Sequence, residues 1–174
     1  MPSVDVAAAL GPEVYGYSDI SALHLAMLAK RAGIPVCAPM ADGLPDAMKR
    51  PEAKETFRAV LRKRSAPRKL RLVPVEGSVA ATEITGPFVL SNLTVMTTLC
   101  GTPWMPDLNG CILALEDVHE EARVLDRHLT HLIQAGIVAQ TRAVVFGYLG
   151  GRVIALGNET PGLISHSPLR GVCP

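Results

Sequence analysis

A serine lies where a short β-prone stretch of the chain meets an amphipathic helix. The sequence there reads Gly16-Tyr17-Ser18-Asp19-Ile20, and it follows Val14-Tyr15. A sharp strand-to-helix turn of this kind forms a nucleophile elbow, which lifts a serine hydroxyl clear of the sheet. The helix N-terminus beneath it offers free N–H groups and a partial positive charge to an oxyanion. The segment therefore indicates Ser18 as a candidate nucleophile.

The same five residues also fit a purely structural role. Serine and aspartate are the favoured residues for capping the start of a helix. Ile20 stands where the usual Gly-x-Ser-x-Gly pattern has its second glycine, so only Gly16 matches that pattern. Capping needs nothing beyond local helix physics. These five residues alone are compatible with both roles, nucleophile and helix cap. Other segments of the chain are needed to distinguish between the two.

The composition is that of a globular protein and excludes several functional classes. The 174 residues are 48% hydrophobic and 19% charged, with a formal net charge of +1, which argues against a polyanion-binding protein. No stretch approaches the ~20 apolar residues of a membrane span, and the first residues do not read as a secretory signal. The four cysteines are far apart without Cys-x-x-Cys spacing, so we expect reduced thiols and no structural zinc. The expected location is the cytoplasm.

Strand-like and helix-like stretches alternate along the chain, which predicts an α/β protein. In the first helix we expect Ile20, Leu23, Met27 and Leu28 on the apolar side. The glutamate Glu116 is expected at the end of an apolar strand. The predicted helices cover residues 19–32, 92–99 and 120–135, and a further predicted helix begins at Pro51. The predicted strands cover residues 34–37, 70–75, 79–84, 111–115, 143–146 and 153–156.

Several separated segments carry a family resemblance. They read GTPWMPDL at 101–108, GCILALEDV at 110–118, LDRHLTHL at 125–132, AGI at 135–137 and VVFG at 144–147. Together with the elbow segment, and in this order and spacing, they resemble the LD-carboxypeptidase family of serine peptidases. That family contains the muramoyltetrapeptide carboxypeptidases and the microcin-immunity peptidases. The resemblance covers roughly residues 14 to 151.

The resemblance implies a catalytic set. In the family an elbow serine, a glutamate and a histidine near the C-terminus share the roles of nucleophile, orienting acid and base. Carried over by motif, Ser18 is the nucleophile and Glu116 is the acid, with Asp117 and Glu120 as its competitors. The backbone N–H of Asp19 donates to the oxyanion. Without the resemblance, Glu116 would be interpreted as a solvated turn carboxylate. No metal and no cofactor are implied.

The histidine base has no clear counterpart in this sequence. The family places it in a Gly-His-Gly-like loop, and no such loop occurs here. His166 has flanks that do not match, so we expect an exposed tail histidine. We expect His24 to pack or hydrogen-bond locally on the elbow helix. His128 and His131 are expected on a partly exposed helix face, since no further ligand motif accompanies them.

Other positions also depart from the family pattern. The chain has Cys37-Ala38-Pro39-Met40 in place of His-Gly-Pro-Met. It has Leu90-Ser91-Asn92-Leu93 in place of Gly-Gly-Asn-Leu, which adds side chains where the backbone packs closely. The family's upstream arginine- and glycine-rich segment is not found. From these departures we expect a chain truncated at both ends.

The resemblance implies a two-domain fold. Residues 1–66 are expected to be the end of a flavodoxin-like parallel-sheet domain with the nucleophile elbow. Residues 67–174 are expected to form a C-terminal α/β domain with its own smaller sheet. Six Lys and Arg residues lie between positions 62 and 71. No aromatic residues are interleaved with them, so we interpret this segment as a solvated connector and not as a nucleic-acid site.

The resemblance also implies a function. Full members of the family are cytoplasmic, cofactor-free hydrolases, usually homodimers, that release the terminal D-alanine of murein tetrapeptides during cell-wall recycling. The partner is then a murein peptide or a related small peptide, with no nucleic acid and no membrane. Two alternatives stay open: a microcin-type immunity peptidase, and a non-catalytic fragment that serves as a binding or dimerisation module.

Overall fold

The structure is a computed structural model that describes residues 11–61 and 83–150. These residues form two small parallel sheets with helices packed against them, so the predicted α/β class is confirmed. The first region contains β1 (Glu13–Gly16), α1 (Ile20–Lys30), β2 (Ile34–Cys37), α2 (Leu44–Ala47) and α3 (Pro51–Leu61). The second contains β3 (Phe88–Asn92), α4 (Leu93–Thr98), β4 (Ile112–Val118), α5 (Ala122–Gln134), α6 (Ile137–Gln140) and β5 (Ala143–Gly150).

Strands β1 and β2 pair in parallel, with Glu13 opposite Ile34 and Gly16 opposite Cys37. Parallel neighbours need a crossover connection, and helix α1 supplies it. His24 of this helix is buried, and its Nε2 atom lies 2.9 Å from the carbonyl oxygen of Val14. Burial lowers the pKa of His24. The expected local hydrogen bond of His24 is thus confirmed, and it ties α1 to β1.

Strand β4 is the centre of the second sheet, with β3 and β5 as its parallel neighbours. Leu113 and Leu115 on one face of β4 are fully buried. The helices pack on this face and complete the main hydrophobic core, whose buried members also include Leu25 of α1, Leu93 and Met96 of α4, and Leu125 and Leu132 of α5. The opposite face holds a smaller apolar cluster around Ala114 and Val145. Burial of such apolar side chains is the main favourable term in folding.

The buried face of α1 differs from the one predicted. Leu23 is 48% exposed and Leu28 is also exposed, whereas Leu25 is 1% exposed within the main core. The residues of α1 that are buried are Ser21, His24, Leu25 and Met27. Apolar residues surround most of this helix, so its sequence does not mark one face clearly. Packing against β3 and α4 decides which face is buried.

The structure differs from the sequence-based prediction at three places. Strand β3 was not predicted. It leads directly into α4 without a turn, and its last residue, Asn92, caps α4 by accepting a hydrogen bond from Val95 N–H at 2.9 Å. Strand β4 continues to Val118, so Glu116 lies inside the strand and not at its end. Residues 83–85 are not in a strand.

Other predictions fall beyond the described ranges. They are the strands at 70–75 and 153–156, most of the strand at 79–84, the boundary between positions 66 and 67, and His166. The domain limits and the expected exposure of His166 therefore stay predictions. Among the helices of the described ranges, none is long and apolar enough to cross a membrane.

Candidate active site

Ser18 lies in the tight turn between β1 and α1 with a left-handed backbone, at a φ of 58°. Few residues other than glycine adopt such a φ, and those that do are often found at functional sites. The turn is closed by Ser21 N–H, which donates to the carbonyl oxygen of Ser18 at 2.8 Å. The side chain of Ser18 is half-buried. Within the described ranges, no hydrogen bond occupies its hydroxyl.

The turn depends on a close contact between Gly16 and Ile20. A Cβ atom built on Gly16 would lie 2.9 Å from both Cγ1 and Cγ2 of Ile20. Ile20 occupies the position of the second glycine in the usual elbow pattern, and its branched side chain covers the backbone of Gly16. The one glycine that the sequence retains is therefore the one that the packing requires.

Replacing Gly16 by alanine should destabilise the protein by about 1–3 kcal/mol, because the added methyl group overlaps Ile20 in a packed turn. Urea unfolding followed by circular dichroism measures this change. Gly43→Ala is a matched control, since its φ is −83° and its Cβ would meet only the Met40 carbonyl oxygen at 3.8 Å. The control should change stability by less than about 0.5 kcal/mol. Equal midpoints for both variants would contradict the close contact.

The start of α1 leaves a backbone donor free. Asp19 is the N-cap residue, with a φ of −57°, and its side chain makes no capping hydrogen bond. The structural alternative of side-chain capping is therefore not seen at Asp19. No backbone hydrogen bond of the described chain uses the N–H of Asp19. This N–H, on the residue that follows Ser18, is available to a negatively charged oxygen.

Glu116 is a largely buried carboxylate with an unsatisfied oxygen. Its Oε1 atom is buried and has no hydrogen-bond partner among the described residues. Burial raises the pKa of Glu116; the side chain of Asn92 lowers it, and the charge of Asp117 raises it further. A solvated turn carboxylate, the alternative interpretation of this residue, would show none of this. A buried acceptor without a donor often marks a functional site.

The sheet is irregular beside Glu116. Leu115 pairs with Phe146 of β5, whereas Asp117 pairs with Leu149. Two residues of β5 therefore lie opposite the single residue Glu116 of β4. The register shift is that of a β-bulge, a feature common next to active sites because it re-aims side chains. The bulge interrupts the regular β4–β5 ladder at the position of the candidate acid.

Asp117, the competing acid, is fully engaged in hydrogen bonds. Its Oδ1 accepts from Asn92 Nδ2 at 3.2 Å and from Val118 N–H at 2.8 Å. Its Oδ2 accepts from Thr94 N–H at 2.9 Å and from Thr94 Oγ1 at 2.8 Å. Both oxygens are therefore occupied, whereas Glu116 keeps one free. The geometry favours Glu116 over Asp117 as the acid that orients a base.

One hydrogen bond brings the two motifs together. Asn92 N–H donates to Ser21 Oγ at 3.2 Å across 71 positions of sequence. Ser21 lies in the first turn of the helix that follows Ser18, and Asn92 lies opposite Glu116 in the parallel register. The helix after Ser18 is thus joined to β3, the strand that pairs with the strand of Glu116. From the sequence, Asn92 was predicted as the start of a helix and as part of a departure from a family pattern, and no local signal pointed to Ser21.

Within residues 11–61 and 83–150, no histidine makes a hydrogen bond with Ser18 or Glu116. Nδ1 of His128 lies 3.0 Å from Thr97 Oγ1, and His131 is exposed on the same helix. The described part of the chain contains no group of three or more residues that could hold a metal ion. His119, which the sequence analysis passed over, follows β4 directly, is exposed and has a φ of 65°.

Comparison with known sequences identifies similar proteins. Residues 85–158 match the family described as LD-carboxypeptidase C-terminal domain. A carboxypeptidase homologue of Streptomyces coelicolor is 34% identical over 142 residues, which are 80% of this chain and 44% of that protein. A murein peptide carboxypeptidase homologue of Bacillus subtilis is 28% identical over 138 residues, 77% of this chain and 42% of that protein. The chain thus spans less than half the length of these curated relatives.

Solved structures show the same architecture. The muramoyltetrapeptide carboxypeptidase from Oxalobacter formigenes superposes with a TM-score of 0.63 at 27% identity, over 84% of this chain and 50% of that one. The microcin C7 self immunity protein MccF, in its complex with aspartyl sulfamoyl adenosine, superposes with a TM-score of 0.60 at 19% identity, over 92% of this chain and 56% of that one. At this identity the likeness to MccF concerns the fold alone.

Proposed function

The chain belongs to the LD-carboxypeptidase family, and on that premise we propose that it supplies the nucleophile and the orienting acid of a serine peptidase. The proposed reaction releases the terminal D-alanine of murein tetrapeptides in cell-wall recycling. Ser18 is the nucleophile, Glu116 is the acid, and the N–H of Asp19 is an oxyanion donor. No metal or cofactor takes part in this scheme.

The hydrogen bond between Asn92 N–H and Ser21 Oγ carries the proposal. It adds a specific polar link to the packing of Leu25 of α1 in the core around β4, so that Ser18 and Glu116 belong to one packed framework although their strands lie in separate sheets. With it, a serine with a free hydroxyl and a carboxylate with a free oxygen lie on joined elements. A serine peptidase needs these groups on one rigid framework, because a misplaced catalytic group loses most of its effect.

The chemistry follows from the states of these groups. A base removes the proton of Ser18 as its hydroxyl attacks the carbonyl carbon before the terminal D-alanine. The carbonyl oxygen becomes negatively charged and accepts a hydrogen bond from Asp19 N–H. The base then protonates the leaving amine of D-alanine, and water hydrolyses the acyl-enzyme. In the family pattern this base is a histidine, and Oε1 of Glu116 has the free acceptor that would fix its tautomer.

The surroundings of Glu116 suit that role. Burial raises the pKa of this carboxyl, so an ionised Glu116 gains strongly from a neighbouring imidazolium. The pair is formed when the histidine takes the serine proton. A preorganised carboxylate at low dielectric stabilises that charge more than water does.

The substrate class is inferred from the relatives. The similar proteins from Bacillus subtilis and Oxalobacter formigenes are named for murein peptides and muramoyltetrapeptides. The similarity to MccF supports no substrate, because it is confined to the fold. We therefore favour a murein tetrapeptide over a microcin-type antibiotic. We also propose that the protein acts as a cytoplasmic homodimer and binds neither nucleic acid nor membrane.

A chimera tests the function of this chain within a full-length framework. Residues 11–150 would replace the aligned segment of the Bacillus subtilis relative, and D-alanine release from a tetrapeptide with diaminopimelate at position three would be measured. We expect activity within about 100-fold of the parent, the loss that small misplacements cause. A peptide ending in L-alanine is the control and should stay intact. A folded chimera that binds the tetrapeptide without cleaving it would instead support the binding-module alternative.

A further inference from the structure

Asp117 is a buried carboxylate that the proposed reaction does not use. It is 4% exposed, and it accepts four hydrogen bonds, two from backbone N–H groups and two from the side chains of Asn92 and Thr94. A buried charge is costly unless hydrogen bonds satisfy it. Here neutral donors from β4 and from the junction of β3 and α4 satisfy it. Asp117 therefore anchors the end of β4 to that junction.

Asn92 extends this anchor to the elbow helix. Its Nδ2 donates to Asp117, its Oδ1 accepts from Val95 N–H at 2.9 Å, and its backbone N–H donates to Ser21 Oγ. Asn92 is itself buried. Each of its contacts reaches a different element, namely β4, α4 and α1. We call Ser21, Asn92, Thr94 and Asp117 the clamp.

The clamp lies beside the irregular part of the pairing between β4 and β5. The pairing between β4 and β5 shifts register between Leu115 and Asp117, so Glu116 has a regular partner on β3 but none on β5. Successive side chains on a strand point to opposite faces. Fixing Asp117 from one side therefore sets the direction of Glu116 next to it.

From this arrangement we infer that Asp117 is a positioning residue, which acts through Asn92 and Ser21 to hold the turn of Ser18 against the strand of Glu116. The inference rests on the proposed function for its catalytic meaning. The clamp itself is independent of that meaning, since its hydrogen bonds join residues of the chain to one another. Asp117 touches neither substrate nor reacting atoms in this scheme.

The first test uses the 174-residue chain and needs no activity. Amide NMR spectra would be recorded for Asp117→Asn, Thr94→Val and Thr94→Ser. Asparagine presents an NH₂ group to one pair of donors, and valine removes the hydroxyl donor to Asp117 Oδ2, whereas serine keeps it. We expect the amide signals of Ser18 and Asp19 to shift in Asp117→Asn and in Thr94→Val. In Thr94→Ser we expect these signals to stay at their positions in the unsubstituted chain. If Asp117→Asn does not fold, the Thr94 pair decides the question.

The second test measures kinetics in the chimera. Asp117→Asn should lower kcat by about 10–100-fold, the loss expected from a displacement of about 1 Å, while KM changes by less than about threefold. If Asp117→Asn lowers the stability of the chimera but leaves kcat unchanged, Asp117 is only a structural residue and the inference is wrong. Unshifted Ser18 and Asp19 signals in both variants would also overturn it.

The two proposals fail in different ways. If the parent chimera is inactive but the Ser18 signals respond to Thr94→Val and return with Thr94→Ser, the clamp holds the turn and the proposed function is wrong. If the chimera is active and Asp117→Asn is as fast as the parent, the function stands and the positioning role is wrong.

Discussion

Replacing Ser18 by alanine in the chimera should lower kcat for D-alanine release by about 10⁴-fold or more, as the loss of a serine nucleophile does in other peptidases. The hydroxyl that forms the acyl-enzyme is absent in this variant, while the N–H of Asp19 and the peptide-binding surface remain. KM should therefore change little. Release of D-alanine and the unfolding midpoint would be measured on the same preparation.

Asp19→Ala is the matched control for this prediction. The side chain of Asp19 is exposed and makes no capping hydrogen bond, and alanine keeps the backbone N–H. We expect kcat within about tenfold of the parent. If the two variants lose activity equally, the turn matters as a structure and Ser18 is not the nucleophile.

Replacing Glu116 by glutamine should lower kcat by about 10³–10⁴-fold, a loss similar to that caused by neutralising the acid of a catalytic triad. The amide keeps the shape of the side chain but cannot stabilise an imidazolium. It can also favour the wrong tautomer of the base. Steady-state kinetics in the chimera would measure the loss, and activity within tenfold of the parent would exclude Glu116 as the orienting acid.

The same substitution should make the protein more stable at neutral pH. The pKa of Glu116 is raised above its ordinary value of 4.5 mainly by burial, so the folded state disfavours the ionised carboxyl. The contribution of Glu116 to stability is then fully present below its unfolded pKa, near 4.5, and it is lost as the pH rises through the folded pKa. Glutamine carries no charge at any pH and escapes this loss.

We expect Glu116→Gln to raise the free energy of unfolding by about 1 kcal/mol at pH 7, which lies within the range that single stabilising substitutions commonly give. Near pH 3.5 the difference should vanish, because the carboxyl is then protonated in both states. Urea unfolding at the two pH values measures this. Glu55→Gln, at an exposed position of α3, controls for the loss of charge alone. A glutamine variant that is less stable at pH 7 would contradict the buried charge.

Much of the fold could be predicted from local sequence signals. Strand β2 has the predicted limits because an apolar run lies between Gly33 and Pro39, which both interrupt regular structure. Strand β3 was missed because its last residue, Asn92, is also the cap of α4, so no turn residue separates strand from helix. The face of α1 could not be predicted, since an apolar surface on most sides leaves the choice to tertiary packing.

The candidate site was only partly predictable for a similar reason. The turn at Ser18 is local, and its residue types already indicated an elbow. The engagement of Asp117 depends on Thr94 and Asn92, which lie more than twenty positions away in the sequence. The contact between Ser21 and Asn92 spans 71 positions, and neither spacing nor composition marks it.

The burial of Leu25 affects how variants of this protein should be interpreted. Leu25 comes from the helix that follows Ser18, yet it packs in the core that supports β4. A smaller side chain at this position would loosen the seating of both proposed catalytic groups without touching a peptide. In a mutational screen scored by activity, position 25 would then resemble a catalytic position. A parallel screen scored by protein abundance would distinguish it from Ser18, because loss of core packing lowers abundance and loss of a nucleophile does not.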